Sequence, residues 1–150
     1  MIIQTSRFGP VEVDETRLIR FPRGVLGFPD NHDYALIQTG EKSGFYWLQA
    51  VDRPELAFVV CDPRLFVPDY AVPIKAEDLQ AIGLADPSGA QVFIIVNKVD
   101  DLLTGNMQGP LVINIETRVA RQLVLSDRRF STRQPLMTLP RKGLAAAKTA

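Results

Sequence analysis

The chain has 150 residues, 46% of them apolar and 23% charged, with seventeen basic and seventeen acidic side chains that cancel. That is enough for one core burying roughly 70% of the unfolded chain's surface, and it excludes a disordered protein. The longest apolar runs, "LAFVVC" (56–61) and "VFIIV" (92–96), are far shorter than the ~20 residues that span a bilayer, and no signal-peptide pattern opens the chain. A single cysteine, Cys61, excludes an internal disulfide. The expectation is a soluble, cytoplasmic monomer with its domain at 1–137 and a basic, frayed tail at 138–150.

Period-two patterning dominates in chain order. "VEVDETRLIRF" (11–21) alternates in two pieces around a turn-prone Asp-Glu. "FPRGVLGFPDNHDY" (21–34) follows, a loop with two Phe-Pro pairs, two glycines and the only histidine. "DYALIQ" (33–38) and "FYWLQAV" (45–51) predict strands joined by the hairpin-type connection "TGEKSG" (39–44). "ELAFVVCD" (55–62) predicts the next strand, and "DPRLFVPDYAVPI" (62–74) a second irregular segment, with three prolines. "PIKAEDLQAIG" (73–83) reads as a helix of two turns at most, acidic at its start and stopped by Gly83. "AQVFIIVNKV" (90–99), "PLVINIE" (110–116) and "RQLVLSD" (121–127) predict the remaining strands. Short β-branched and aromatic runs between Gly, Pro and Asp predict an all-β fold. We read it as a single-domain pseudobarrel or sandwich of short antiparallel strands with one short helix.

The chemical motifs argue against catalysis. "VFIIVNKVD" (92–100) ends in Asn-Lys-x-Asp, as in guanine-recognition strands, but no Gly-Lys-Ser/Thr phosphate loop occurs. His32 is the sole imidazole and sits in a loop, so a histidine-based metal cluster is excluded. Cys61 ends an apolar run and reads as a small buried hydrophobe. The adjacent carboxylates Glu77–Asp78 and Asp100–Asp101 point apart whether on helix or strand. No enzyme, metal or cofactor is predicted.

Charge is unevenly spread: residues 1–117 hold 9 basic and 16 acidic side chains, net −7, whereas 118–150 hold 8 basic and one acidic, net +7. The second segment suggests an alternative, an RNA-binding β-barrel in which Arg118, Arg121, Arg128, Arg129 and Arg133 meet phosphates and Phe130 stacks. The two irregular segments suggest another, because their aromatics must either plug the barrel ends or face a partner.

Several blocks in succession resemble the FliW family of flagellar assembly factors. They are "FGPVEV" (8–13), "FPRGVLGFPDNHDYAL" (21–36), "FYWLQAVDRPELAFVVCDP" (45–63), "FVPDYAVPI" (66–74), "LTGNMQGPLVIN" (103–114) and "RQLVLSDRRFSTRQPL" (121–136). Gly105 and Gly109 depart from the family's usual aliphatic and alanine residues. The resemblance implies an all-β pseudobarrel without a catalytic site. It also implies two protein partners: unassembled flagellin, and the RNA-binding translational regulator CsrA, which the protein antagonises. Flagellin synthesis would thereby be coupled to export, with no direct nucleic-acid contact and no membrane. An acidic segment of net −7 suits a basic RNA-binding partner, and loop aromatics suit an amphipathic helix. The residues expected at such contacts are Phe28, Phe66 and Tyr70 as apolar anchors and Asp62 and Asp69 as charges.

Overall fold

The structure, a computed structural model, describes residues 1–38 and 44–139. The connection read at 39–44 (except Gly44) and the tail from Pro140 onward lie outside the described residues.

Period two in the sequence becomes two faces of a sheet, because successive Cβ atoms leave a strand on opposite sides. β1 (Ile2–Thr5) and β2 (Gly9–Glu12) form a separate antiparallel hairpin. It docks on the main sheet through Phe8, edge-on to Trp47 at 5.9 Å, and Arg7, 4.1 Å above the same ring. β3 (Ile19–Arg20), β4 (Asp33–Ile37), β5 (Phe45–Ala50), β6 (Ala57–Cys61) and β7 (Ala90–Val99) then pair antiparallel in that order. On its far edge, β7 carries β8 (Leu102–Gly105) beside its second half and β9 (Leu111–Asn114) beside its first. β10 (Ala120–Gln122) lies on β9, and β11 (Gln134–Thr138) on β8. The sheet curls until its ends meet. The Arg20 N–H donates to the Arg118 carbonyl at 2.9 Å, beside a parallel bridge from Arg20 to Val119.

The fold is all-β, as the patterning predicts, and α1 (Ala76–Ala81) is the one α-helix among the described residues. Its acidic first turn complements the helix dipole, and Gly83 at φ 77° supplies the left-handed residue that ends it. Three strands escape the patterning. β1 (IIQT) and β8 (LLTG) do not alternate apolar with polar residues. β11 contains Pro135, which patterning rules discount, but it pairs only with β8 and so sits at an edge where proline is tolerated.

The middle of the sheet is packed on both faces, Val60 and Phe93 on one and Cys61 and Ile94 on the other, which explains the unbroken apolar runs of β6 and of 92–96 in β7. Ile19, Phe21, Tyr34, Leu48, Val60 and Leu111 pack in one buried cluster. Cys61, Tyr70, Ile94, Val96 and Met107 form a second cluster, and Ile82, Val112 and Leu123 a third beside α1. Gly105 is a regular β8 residue opposite Val96, and a Cβ there would meet Ile94 and Leu136 side chains. The extra backbone freedom of that glycine is therefore unused.

Candidate partner-binding surface

The strap at 62–74 is fixed by its own polar groups. Asp62 caps a 3-10 turn (Pro63–Leu65), accepting from the Arg64 backbone at 2.9 Å and from the Arg64 guanidinium at 3.1 Å. Burial pushes the Asp62 carboxyl up, but the hydrogen bonds from Arg64 and Gln91 outweigh it and hold the group below its ordinary range. Tyr70 is buried, donates its hydroxyl to the Met107 carbonyl at 2.7 Å, and meets Phe130 edge-on at 5.3 Å. Phe66 is half-buried against Phe45 at 5.7 Å. Asp69 is exposed. The structure thus brings Asp62, Phe66, Asp69 and Tyr70 onto one strap and uses Tyr70 to hold it down.

Phe28 sits elsewhere, on the loop at 21–34. Phe21 and Tyr34 are wholly buried and meet edge-on at 5.5 Å. Phe28 is half-buried, edge-on to Phe58 at 5.6 Å, with the Arg53 guanidinium 5.5 Å from its ring. Two successive turns, Gly24 N–H to Phe21 O and Phe28 N–H to Val25 O, fold the loop tightly. Gly24 makes this possible, at φ 69° and with the Phe28 carbonyl where a Cβ would stand. The tip residue Leu26 is left 73% exposed, its N–H held at 2.7 Å by the Gln122 side-chain oxygen.

The two irregular segments approach each other along one groove of about 540 Å³. Gly24 and Arg23 come from the loop, Pro73 and Ile74 from the end of the strap, and 121–127 from the chain leaving β10. Leu123 and Leu125 pack toward the α1 cluster, whereas Val124, on the opposite side of the extended chain, is 76% exposed. Arg121 and Asp78 pair across the groove at 3.4 Å, both mostly buried, and Lys75, Glu77 and Asp127 add charge to the rim. Exposed aliphatics above an apolar floor with a mixed-charge border are the anatomy of a polypeptide-docking surface. The sequence reading favoured the large aromatics and missed Leu26 and Val124. No sequence signal separates Leu26 from Val25, which lies between the same two glycines and is buried.

Other sites carry no reactive geometry. The Asn97-Lys98-Val99-Asp100 run ends β7 in solvent, and Asp100 at φ 55° turns the chain into β8. The His32 Nε2 lies 2.9 Å from the Pro29 carbonyl, within its own loop. Burial, helped by Asp62, pushes the Cys61 thiol up to about 12, which leaves it a packed hydrophobe. Among the described residues no three His, Cys, Asp or Glu side chains cluster to hold a metal, and no helix is long and apolar enough to cross a membrane.

Fold and surface together define a small β half-barrel scaffold with a groove on its rim. The sequence model of the FliW protein family matches residues 2–136. The chain is 41% identical over 140 residues to the flagellar assembly factor FliW of Bdellovibrio bacteriovorus, covering 92% of this chain and 80% of that one. It is 38% identical to the Treponema denticola FliW, covering 91% and 94%. A crystal structure of the flagellar assembly factor FliW superposes with a TM-score of 0.84 at 28% identity, covering 95% of this chain and 99% of that one. The chain belongs to the FliW family, and its role lies in flagellar assembly.

Proposed function

We propose that the chain is a cytoplasmic, chaperone-like binding protein that holds unassembled flagellin and, when free of it, binds and antagonises CsrA. No chemical step is part of this role. Family membership supports it, and the observation that carries it is the groove where the two irregular segments converge beside exposed Leu26 and Val124. An amphipathic helix fits such a surface, with its apolar side on Ile74 and Leu125 and its polar flanks against the mixed-charge rim. Of the five residues singled out in the sequence, Phe28, Phe66 and Asp69 keep surface for a partner, whereas Tyr70 and Asp62 act by shaping the strap.

The RNA-binding alternative draws less support. Arg121 is paired with Asp78, Arg129 with Asp127, and Arg118 is turned onto the Arg17 carbonyl, so the basic third presents no continuous phosphate track among the described residues. The test is co-elution and calorimetry of the purified protein with monomeric flagellin and, separately, with CsrA. Both should bind. The double variant Leu26→Asp, Val124→Asp should weaken at least one of them by roughly tenfold or more without changing the melting temperature. Absence of both complexes would reject the role, and undiminished binding by the variant would reject the groove.

A further inference from the structure

A second pocket, of about 440 Å³, opens beside the seam where the sheet closes, and it shares no lining residue with the groove. Its apolar walls include Val13, Leu36 and Tyr46, and its polar lining holds Arg17, Arg118, Glu12 and Asp14. The two carboxylates are already engaged. Glu12 takes the N-terminal ammonium at 3.0 Å, and Asp14 accepts both the backbone and hydroxyl hydrogens of Thr16 at 2.9 and 2.6 Å. Arg17 forms no ion pair among the described residues, and Arg118 donates only to the Arg17 backbone carbonyl, at 2.9 Å. Arg17 and Arg118 thus face a lining in which Glu12 and Asp14 both already have partners.

Arg118 is unusual in two independent ways. Its backbone sits at φ 67°, a left-handed conformation uncommon for residues other than glycine, and it is held there by a turn built on buried Asn114. Asn114 accepts at its backbone oxygen from Arg118 N–H, and at its side-chain oxygen from Glu116 and Thr117 N–H. Meanwhile the Arg118 Nε–H is shielded from solvent without a hydrogen-bond partner. Strained backbone and an unpaired buried donor both cost stability, and they gather where a ligand completes the arrangement. Burial, and then the nearby Arg17, pull the Arg118 guanidinium below its ordinary value, the direction that a bound anion would reverse.

We propose that this pocket is a carboxylate-recognition site: Arg118, seconded by Arg17, grips one carboxylate of a polypeptide while Val13, Leu36 and Tyr46 take the neighbouring apolar side chain. A guanidinium presents a planar fork that matches a carboxylate, and the flanking Glu12 and Asp14 disfavour a polyanion such as RNA. The site does not depend on which partner fills the groove. It is tested with the full-length protein and three acetylated peptides: Leu-Leu with a free C-terminus, Leu-Leu-amide, and Leu-Glu-Leu-amide. The readout is the arginine Nε–H region and the backbone amides in two-dimensional proton–nitrogen spectra. At least one carboxylate peptide should shift the Arg118 Nε–H together with the Val13 and Leu36 amides. Which one does so assigns the carboxylate to a chain end or an acidic side chain.

Arg17→Gln should weaken that binding roughly tenfold or more, and Arg118→Lys should not restore what Arg118→Gln loses. Should Arg118 variants unfold, the exposed Arg17→Gln decides alone. A response to the fully amidated dipeptide as strong as that to the better-binding carboxylate peptide overturns the proposal. So does an equal response to inorganic phosphate, undiminished binding by Arg17→Gln, or an unmoved Arg118 signal.

Discussion

The loop at 21–34 and the strap at 62–74 are both rich in proline and aromatics, but only the loop carries glycine, and they use their aromatics in opposite ways. The strap ties itself down with one buried hydrogen bond, Tyr70 to Met107, and one exposed cap, Asp62 to Arg64. The loop buries Phe21 and then folds back through two turns, which leave its tip, Leu26, in solvent. Aromatic content therefore does not mark a binding segment. What marks it is whether the backbone turns leave a side chain with nothing to pack on.

The largest effect that would break this contrast is at the strap's hub. Tyr70→Ala should cost about 3–5 kcal/mol in chemical denaturation, since it empties a packed site and strands a carbonyl. A variant that melts like the parent but loses partner binding would make Tyr70 an anchor instead. Next, Gly24→Ala should cost about 1–3 kcal/mol from strain alone, because its left-handed φ and the Phe28 carbonyl leave no room for a Cβ. Gly27, also at positive φ but with open space around it, should tolerate alanine better.

Two hydroxyl deletions sharpen the contrast further. Tyr70→Phe should cost about 1–2 kcal/mol, whereas Tyr34→Phe should stay within about 1 kcal/mol of the parent because its buried hydroxyl has no partner among the described residues. Burial pushes both phenols up to about 12 from 10.0, and the Cys61 thiol to about 12 from 9.0. The folded state thus keeps protons that the unfolded chain releases. Their stabilisation is complete below about pH 9 and should be lost as pH rises toward 12, read by denaturation midpoints across that window. The smallest change in stability belongs to the loop tip: Leu26→Asp should stay within about 0.5 kcal/mol, its effect appearing only in partner affinity.

The strand runs at 33–38, 45–51, 55–62, 90–99 and 110–116 were legible because side-chain period and turn residues agree there. α1 was legible through its acidic start and Gly83. β11 was not, since Pro135 is admissible only once an edge position is known. The surface was less legible for a similar reason. Exposure of Leu26 or Val124 depends on what the rest of the chain places nearby, and a leucine or valine in sequence points inward by default. The contribution of Arg118 was hidden as well: read as one of several basic residues, it becomes distinctive only through its φ and the turn on Asn114.

The seam joins segments far apart along the chain, Arg17 and Arg118 being 101 residues distant. Contacts of such long range carry a large loop-closure entropy cost, which slows folding relative to local contacts. A ribosome must deliver most of the polypeptide before the ring can shut. The carboxylate pocket beside that seam is lined by residues from Val11 to Arg118, so a chain that stops short of Arg118 lacks it.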